Sequence, residues 1–290
     1  MREIKKLTLN SPGYPTILKE SPTQPPRVLY YAGTPLNDLL KHKAVAVVGT
    51  RTISIYGEIV TRQFASYLAE QGIVIISGLA LGVDGLAHES ALEAGGLCIG
   101  VLPCPLDKIV PASNQYLAEK ILKTGGALVS EYPPGEPAFK KNFIARNRIM
   151  SGLADAVLIT EAGELSGAIH TANFAIRQNK NIMAIPGNIN NIGSAGVNTL
   201  IKTAKAAAVT EPQDVLNELG VHPHRTHAKK VRGRNTNEQK LLDLMMSGIS
   251  DGDQLLEQSG LTLSRFNTAL TMLEIAGKIR PLGMNNWAIF

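Results

Sequence analysis

Apolar residues in the first 210 positions gather in five short runs, and each run ends in a turn of small residues. The runs are rich in Val and Ile, and helix-length segments separate them. This alternation is typical of parallel strands that helices cover on both faces. The runs occupy residues 45–48, 73–76, 98–102, 156–159 and 182–185. The pattern predicts an α/β fold built on a mostly parallel sheet.

The pattern changes near the C-terminus to three short helices followed by a hairpin. Gly260 and Gly277 are stop signals for the second and third helices, and residues 283–286 supply the turn of the hairpin. This order of elements is typical of a winged-helix domain, whose third helix often enters a DNA groove. The helices are expected at residues 237–246, 251–258 and 262–276, and the strands at 278–282 and 287–290.

The positive charge of the chain is concentrated between these two regions. The formal charge is +5, and residues 220–236 carry five Lys or Arg without a carboxylate, whereas residues 237–290 carry four against six. Residues 220–236 lack hydrophobic periodicity and are therefore expected to be a basic, flexible linker. The sequence divides into four parts. A lead-in segment, residues 1–43, is expected to pack on the α/β domain, residues 44–219. The linker, residues 220–236, and the winged helix, residues 237–290, follow.

Composition gives no sign of a membrane, metal or redox protein. The N-terminus lacks the apolar stretch of a signal peptide, no apolar run approaches the ~18 residues of a membrane span, and only two cysteines occur. We therefore expect a cytoplasmic protein without membrane association. The glycine-rich turns match neither the dinucleotide fingerprint nor the P-loop, so neither a cofactor nor ATP hydrolysis is expected.

Cations near the carboxyl edge of the predicted sheet indicate an anion site. Ligands of such sheets bind at this edge, where Arg51 follows the first run and Arg146-Asn147-Arg148 precedes the fourth. Residues 139–148 combine four cations and two phenylalanines without a carboxylate, which suits the phosphates and unpaired bases of a single strand. The alternative is a solvated loop anchored to the core by its phenylalanines.

Several polar residues leave two interpretations open. Gly78, Gly82 and Gly85 either let backbone N–H groups approach a phosphate or only permit tight turns. Asp84 and His88 lie four apart on one helix face, as an acid–base pair or as a helix-start carboxylate paired with a histidine. Two further carboxylates, Glu131 and Glu161, follow strand-like runs, where catalytic carboxylates often lie, but no nucleophile accompanies them.

These residues resemble the bacterial DNA-processing protein A (DprA, or Smf) family over nearly all of residues 14–210. The resemblance begins in Tyr14-Pro15 and Val28-Leu-Tyr-Tyr-x-Gly33 and continues in order through Gly49-Thr-Arg-x2-Ser-x-Tyr-Gly57, Ser77-Gly-Leu-Ala-x-Gly-x-Asp-x2-Ala-His88, Ser130-Glu-x-Pro-Pro-Gly135, Phe143-x2-Arg-Asn-Arg-Ile149, Glu161-Ala162, Ser166-Gly-x3-Thr-Ala172, Pro186-Gly187 and Gly196-x-Asn198. The chain departs from the family pattern at Pro103-Cys104-Pro105, Val110-Pro111, Ile144 and Ala168.

The resemblance implies an extended Rossmann-like domain that dimerises and binds single-stranded DNA. It also implies a non-catalytic recombination mediator that helps load the RecA recombinase during natural transformation. By position, the DNA contacts would be Arg51, Lys140, Phe143, Arg146 and Arg148, and the pocket would be shaped by Gly49, Ser54 and Gly78. Two alternatives remain. They are a nucleotide-processing enzyme of the phosphoribohydrolase type, whose signature is missing, and a transcription factor, which the acidic winged helix argues against.

Overall fold

The computed structural model describes residues 3–222, 233–283 and 285–289, which fold as two compact units. Most of the predicted linker, residues 223–232, lies outside the described residues. The large unit holds nine strands: β1 (Lys5–Thr8), β2 (Val28–Gly33), β3 (Ala44–Val48), β4 (Val74–Ser77), β5 (Cys98–Leu102), β6 (Ala127–Ser130), β7 (Ala156–Ile159), β8 (Asn181–Ala184) and β9 (Ala207–Ala208). Its α-helices are α1 (Thr16–Lys19), α2 (Leu36–Leu39), α3 (Ile55–Glu70), α4 (Val83–Glu93), α5 (Gln115–Lys123), α6 (Lys140–Leu153), α7 (Gly167–Arg177), α8 (Ala195–Lys202) and α9 (Pro212–Glu218).

All nine strands form one sheet, in the order β1-β2-β6-β5-β4-β3-β7-β8-β9. The pairs β1–β2 and β2–β6 are antiparallel, and every other pair is parallel. The mostly parallel α/β sheet predicted from the sequence is confirmed. From β3 the chain builds outward through β4, β5 and β6, and then returns to place β7 on the other side of β3. The junction between β3 and β7 is therefore the point where the strand order reverses, at which such sheets bind ligands.

Helices cover both faces of this sheet because the central strands are apolar on both sides. All five residues of β3 are buried, with Ala44, Ala46 and Val48 in one core and Val45 and Val47 in the other. The first core includes residues of α6, α7 and α8, and the second includes residues of α3, α4, α5 and α9. Burial on both faces explains why these strands appear in the sequence as uninterrupted apolar runs.

The lead-in segment, residues 1–43, contributes two strands to the main sheet. Strand β1 pairs with β2, and β2 pairs with β6 along residues 30–33. Tyr14 and Leu18 of the same segment are buried in the core that contains α6. The position of α6 is therefore fixed partly by the first 43 residues.

The small unit has the predicted order of three helices and a hairpin. Its elements are α10 (Thr236–Met246), α11 (Gly252–Ser259), α12 (Leu263–Ile275), β10 (Ile279–Gly283) and β11 (Asn286–Ile289). Asp251 begins α11 by accepting hydrogen bonds from two backbone N–H groups, and Gly260 ends it with a left-handed φ of 61°. Leu241, Leu255 and Phe266 are buried in a core of its own.

Candidate nucleic-acid interface

A cavity of about 330 Å³ lies at the junction of β3 and β7. It is lined by the turns that follow β3 and β4, by one face of α6 and by the first turn of α7. We call it the switch-point cavity. Its charged lining residues are Arg51, Asp84 and Arg146, so its formal charge is positive.

Two glycines keep space open around this cavity. A Cβ on Gly49 would overlap the side chain of Val83, and a Cβ on Gly78 would overlap the guanidinium of Arg146. Neither glycine has a positive φ, so close approach and not backbone conformation requires glycine here. Gly49 lines the cavity, whereas Gly78 acts behind it by making room for Arg146.

Arg51 and Phe143 form a cation–π pair at the cavity. The guanidinium carbon of Arg51 lies 5.1 Å from the centroid of the Phe143 ring, within the range of a favourable contact. Arg51 is exposed and Phe143 is half-buried. The cation and the ring that the sequence analysis singled out are thus adjacent, although they lie in the β3 turn and in α6.

Arg146 is buried beneath the cavity and bonded to the protein. Its Nη1 donates to the carbonyl oxygens of Gly78, at 2.7 Å, and of Val101. Its Nη2 lies 3.9 Å from Oδ2 of Asp84, and only 4% of the side chain is exposed. The guanidinium therefore joins the end of β4 to β5 and α4. The family resemblance implied a DNA contact at Arg146, and the structure places its side chain in these buried contacts beneath the cavity.

Two expected DNA contacts, Arg148 and Lys140, and one expected pocket residue, Ser54, lie outside the lining of the switch-point cavity. Arg148 faces a separate cavity beside the lead-in segment, where its Nη2 donates to both carboxylate oxygens of Glu131 at 2.7 and 2.8 Å. Lys140 is exposed at the first position of α6, and Ser54 caps α3 by accepting from the N–H of Gly57. The eight expected residues are therefore not brought together in one pocket, since the lining includes only Gly49, Arg51, Phe143 and Arg146 among them.

Glu161 occupies the start of α3 and is not placed as a free catalytic carboxylate. Its side chain accepts from the backbone N–H of Ser54 at 2.9 Å, and its backbone oxygen accepts from the N–H of Thr50 at 2.7 Å. A carboxylate at a helix N-terminus neutralises the partial positive charge of the helix. Glu161 is 107 residues away from Ser54 along the chain, and no local pattern could have revealed this contact.

Asp84 and His88 do not form the pair that their spacing suggested. Both are buried on α4, but Asp84 is the ion-pair partner of Arg146, whereas His88 interacts with the backbone of Ser77. Burial raises the pKa of the Asp84 carboxyl, an effect that Arg146 partly offsets. Burial also lowers the pKa of His88 to about 4, so the imidazole is neutral at pH 7.

Acid is expected to destabilise the large unit through His88. Below pH 6.5 the unfolded histidine binds a proton that the folded one does not take up until about pH 4. Stability is therefore lost as the pH falls through this window, by about 2 kcal/mol between pH 6.5 and 5. Asp84 acts in the opposite sense, because its raised pKa gives the folded state the extra proton. Urea unfolding of wild type and His88→Leu at both pH values isolates the histidine, and equal losses in the two proteins would contradict this origin.

The first two turns of α7 are a part of the cavity that the sequence marked only through a family motif and its departure at Ala168. Ser166, Gly167, Ala168 and Thr171 all line the cavity, and Ser166 caps α7 by accepting from the N–H of Ala168 at 3.3 Å. The sequence does contain a signal for this part of the cavity. Ser followed by Gly after an apolar run marks a helix start at the ligand-binding edge of the sheet.

Other expectations concern metals, thiols and membranes. Within residues 3–222, 233–283 and 285–289, no group of three or more His, Cys, Asp or Glu side chains is placed to hold a metal ion. Cys98 and Cys104 are buried free thiols. No helix in the described part of the chain has both the length and the apolar character needed to cross a bilayer.

Comparison with known proteins identifies both units. Residues 5–220 match the family described as DNA recombination-mediator protein A, and residues 225–283 match the DprA winged helix domain. Protein Smf of Escherichia coli is 40% identical over 81% of this chain and 65% of its own length. A putative DNA processing protein DprA of Mycobacterium tuberculosis is 33% identical over 87% of this chain and 66% of its own. The chain thus spans just under two thirds of the length of these curated relatives.

Two solved structures share the fold of this chain. The X-ray structure of DNA processing protein A from Streptococcus pneumoniae superposes with a TM-score of 0.69 at 37% identity, covering 77% of this chain and 76% of that one. DNA processing protein A from Helicobacter pylori, whose structure addresses its single-stranded DNA binding mode, gives a TM-score of 0.66 at 33% identity. That match covers 77% of this chain and all of the other.

Proposed function

The chain belongs to the DNA recombination-mediator protein A family, and we propose that it binds single-stranded DNA at the switch-point cavity and delivers that strand to a recombinase. In this proposal the protein acts as a homodimer, helps load RecA during natural transformation, and neither hydrolyses ATP nor alters the DNA covalently. The Helicobacter pylori relative, with its single-stranded DNA binding mode, supports the choice of ligand.

The contact between Arg51 and Phe143 is the observation that carries this proposal. An exposed guanidinium next to an aromatic ring offers a phosphate partner and a stacking face within the span of one nucleotide. The ring can stack only on a base that is not already stacked within a duplex. A single strand presents such bases without the energetic cost of opening a helix.

Arg146 supports the same ligand from beneath. Its charge is repelled by Arg51 and attracted by Asp84, whose own pKa is raised by burial. Two guanidiniums therefore face one carboxyl group, and burial disfavours the ionised form of that carboxyl group. The lining carries an excess of positive charge that a phosphate would neutralise. Lys140, exposed at the start of α6, extends this positive region in our proposal.

The lining gives less support to a nucleotide-processing enzyme. Hydrolysis of a glycosidic or phosphate bond needs a general acid or base that reaches the reacting atoms. Asp84 is the carboxylate among the described lining residues, and it is buried against Arg146. A binding site that holds and then releases a strand needs only cations and stacking faces.

The small unit is proposed to have a role other than holding the strand. Its third helix, α12, carries Arg265 together with Glu274, and residues 237–290 have more carboxylates than cations. A helix that reads DNA needs a positive surface to approach the phosphates. The exposed apolar side chains of Leu263 and Ile275 on α12 fit a protein contact better.

The proposal predicts preferential binding of single strands followed by faster recombinase assembly. A gel shift with single-stranded and duplex oligonucleotides of equal length should show the single strand bound at lower protein concentration. RecA from the same host should then hydrolyse ATP sooner on single strands coated with single-strand-binding protein when this protein is present. Equal or tighter duplex binding would refute the ligand. Unchanged RecA activity would refute the mediator role, and ATP or nucleotide hydrolysis by the protein alone would favour the enzyme.

A further inference from the structure

We propose that a backbone phosphate of the bound strand sits at the N-terminus of α7, held by the first-turn N–H groups and by the hydroxyl of Thr171, with Arg51 as its other partner in the cavity. This inference rests on the proposed function and assigns the phosphate position within it. The residues that would form this phosphate site are Ser166, Gly167, Ala168 and Thr171.

Two other helices that begin near the cavity, α3 and α4, already have an anionic or carbonyl partner at their N-termini. The start of α3 is occupied by the carboxylate of Glu161, which accepts from Ser54 N–H at 2.9 Å. The start of α4 donates from Val83 N–H to the carbonyl of Thr50 at 3.1 Å, and Asp84 lies in its first turn. Neither helix start is therefore free to receive a phosphate.

The start of α7 has no such neutralisation. Its first turn contains no acidic residue, and Ser166 provides only a long hydrogen bond, 3.3 Å, to the N–H of Ala168. Gly167 is exposed, and a Cβ at this position would have no atom of the described residues within 4 Å. The partial positive charge of an 11-residue helix thus faces the cavity at a point that a phosphate oxygen can reach.

Thr171 gives independent support for an acceptor at this place. The residue lines the cavity and is 1% exposed, yet its hydroxyl has no hydrogen-bond partner among the described residues. The carbonyl of Gly167, one turn earlier, is the usual acceptor for a helical threonine. Here that carbonyl accepts from Nδ2 of Asn147 at 3.1 Å. A buried hydroxyl without a partner costs stability, and a bound phosphate would supply the missing acceptor.

The position of Arg51 completes the site. Arg51 and the first turn of α7 line the same cavity, so a phosphate between them would contact a guanidinium and a helix N-terminus. Phe143 lies against Arg51 and would receive the neighbouring base. The strand would then be held by one phosphate and one base at adjacent points.

Gly167→Asp tests this phosphate site. An acidic side chain in the first turn stabilises a helix, so the variant should fold at least as well as wild type while repelling a phosphate. We expect binding of a fluorescent oligothymidylate to weaken at least tenfold relative to wild type and to Gly167→Asn, its neutral isostere. The log–log salt slope should fall by about 0.7, the value of one phosphate contact on a single strand. Gln115→Glu in the first turn of α5, which adds the same charge outside the cavity lining, should leave affinity nearly unchanged.

Thr171→Val gives a second test that leaves shape and charge nearly constant. The hydroxyl has no protein partner to lose, so the melting temperature should not fall, whereas affinity should drop about threefold or more. If wild type binds the oligonucleotide and Gly167→Asp binds it as tightly as Gly167→Asn does, the phosphate does not sit at α7, and the proposed function still stands. If wild type itself does not bind, the proposed function fails and this inference fails with it.

Discussion

Replacing Arg146 with alanine is expected to lower the free energy of unfolding of the large unit by about 3–5 kcal/mol, the usual cost of removing one partner of a buried ion pair. The substitution deprives the carbonyls of Gly78 and Val101 of a donor and leaves Asp84 buried without its cation. It also leaves a void beside Gly78, because the guanidinium of Arg146 fills the space where any other residue would carry a side chain. These losses coincide in one place, which makes this the largest stability effect that we expect from a single residue near the cavity.

Urea unfolding followed by two signals would measure this effect. The chain has one tryptophan, Trp287, which packs against the core of the small unit, so its fluorescence reports on that unit and serves as an internal control. Far-UV circular dichroism reports mainly on the large unit, which holds most of the helices. The dichroism midpoint should fall in Arg146→Ala, and the tryptophan midpoint should not. Arg51→Ala, which removes an exposed cation, should leave the free energy of unfolding from both signals within about 0.5 kcal/mol of wild type. An unchanged dichroism midpoint in Arg146→Ala would show that the buried guanidinium does not hold β4, β5 and α4 together.

The sequence predicted the centre of the sheet better than its edges, for a physical reason. Strands β3, β4, β5, β7 and β8 are buried on both faces, which concentrates apolar residues in short runs. Strand β1 is almost entirely exposed, and β9 has only two residues, both exposed, so neither leaves such a run. Strand β2 alternates in burial and pairs antiparallel with both neighbours. Its sequence pattern therefore does not mark it as a strand of the sheet.

The candidate site shows a similar limit. Residues 139–148 looked like one basic patch, but the structure places them at the start of α6, where residues two apart lie about 200° apart around the axis. Arg146 and Arg148 consequently face different cavities. Assigning this segment to a helix would have separated them. The pairing of Arg146 with Asp84, across 62 positions of sequence, would still have escaped any local analysis.

The second large effect is expected on DNA binding, from Arg51 and Phe143 taken together. Arg51→Ala should weaken single-strand binding by about 1.5–3 kcal/mol, the range for a hydrogen bond to a charged group. It should also reduce the log–log salt slope by about 0.7. Phe143→Ala should cost about 1–3 kcal/mol through lost base stacking, with little change in slope. Lys19→Ala, which removes an exposed cation outside the cavity lining, provides the control for net charge.

The contact between these two side chains makes the double variant informative. Because the guanidinium of Arg51 lies over the Phe143 ring at 5.1 Å, each side chain helps to hold the other in place. Removing one should therefore weaken the contribution of the other, and the double variant should lose less affinity than the two single variants added together. Titrations of all four proteins against one oligonucleotide, from low to moderate salt, would give this coupling directly. Strict additivity would mean that the strand meets the cation and the ring as separate sites. A wild-type slope in Arg51→Ala would mean that its guanidinium does not contact a phosphate at all.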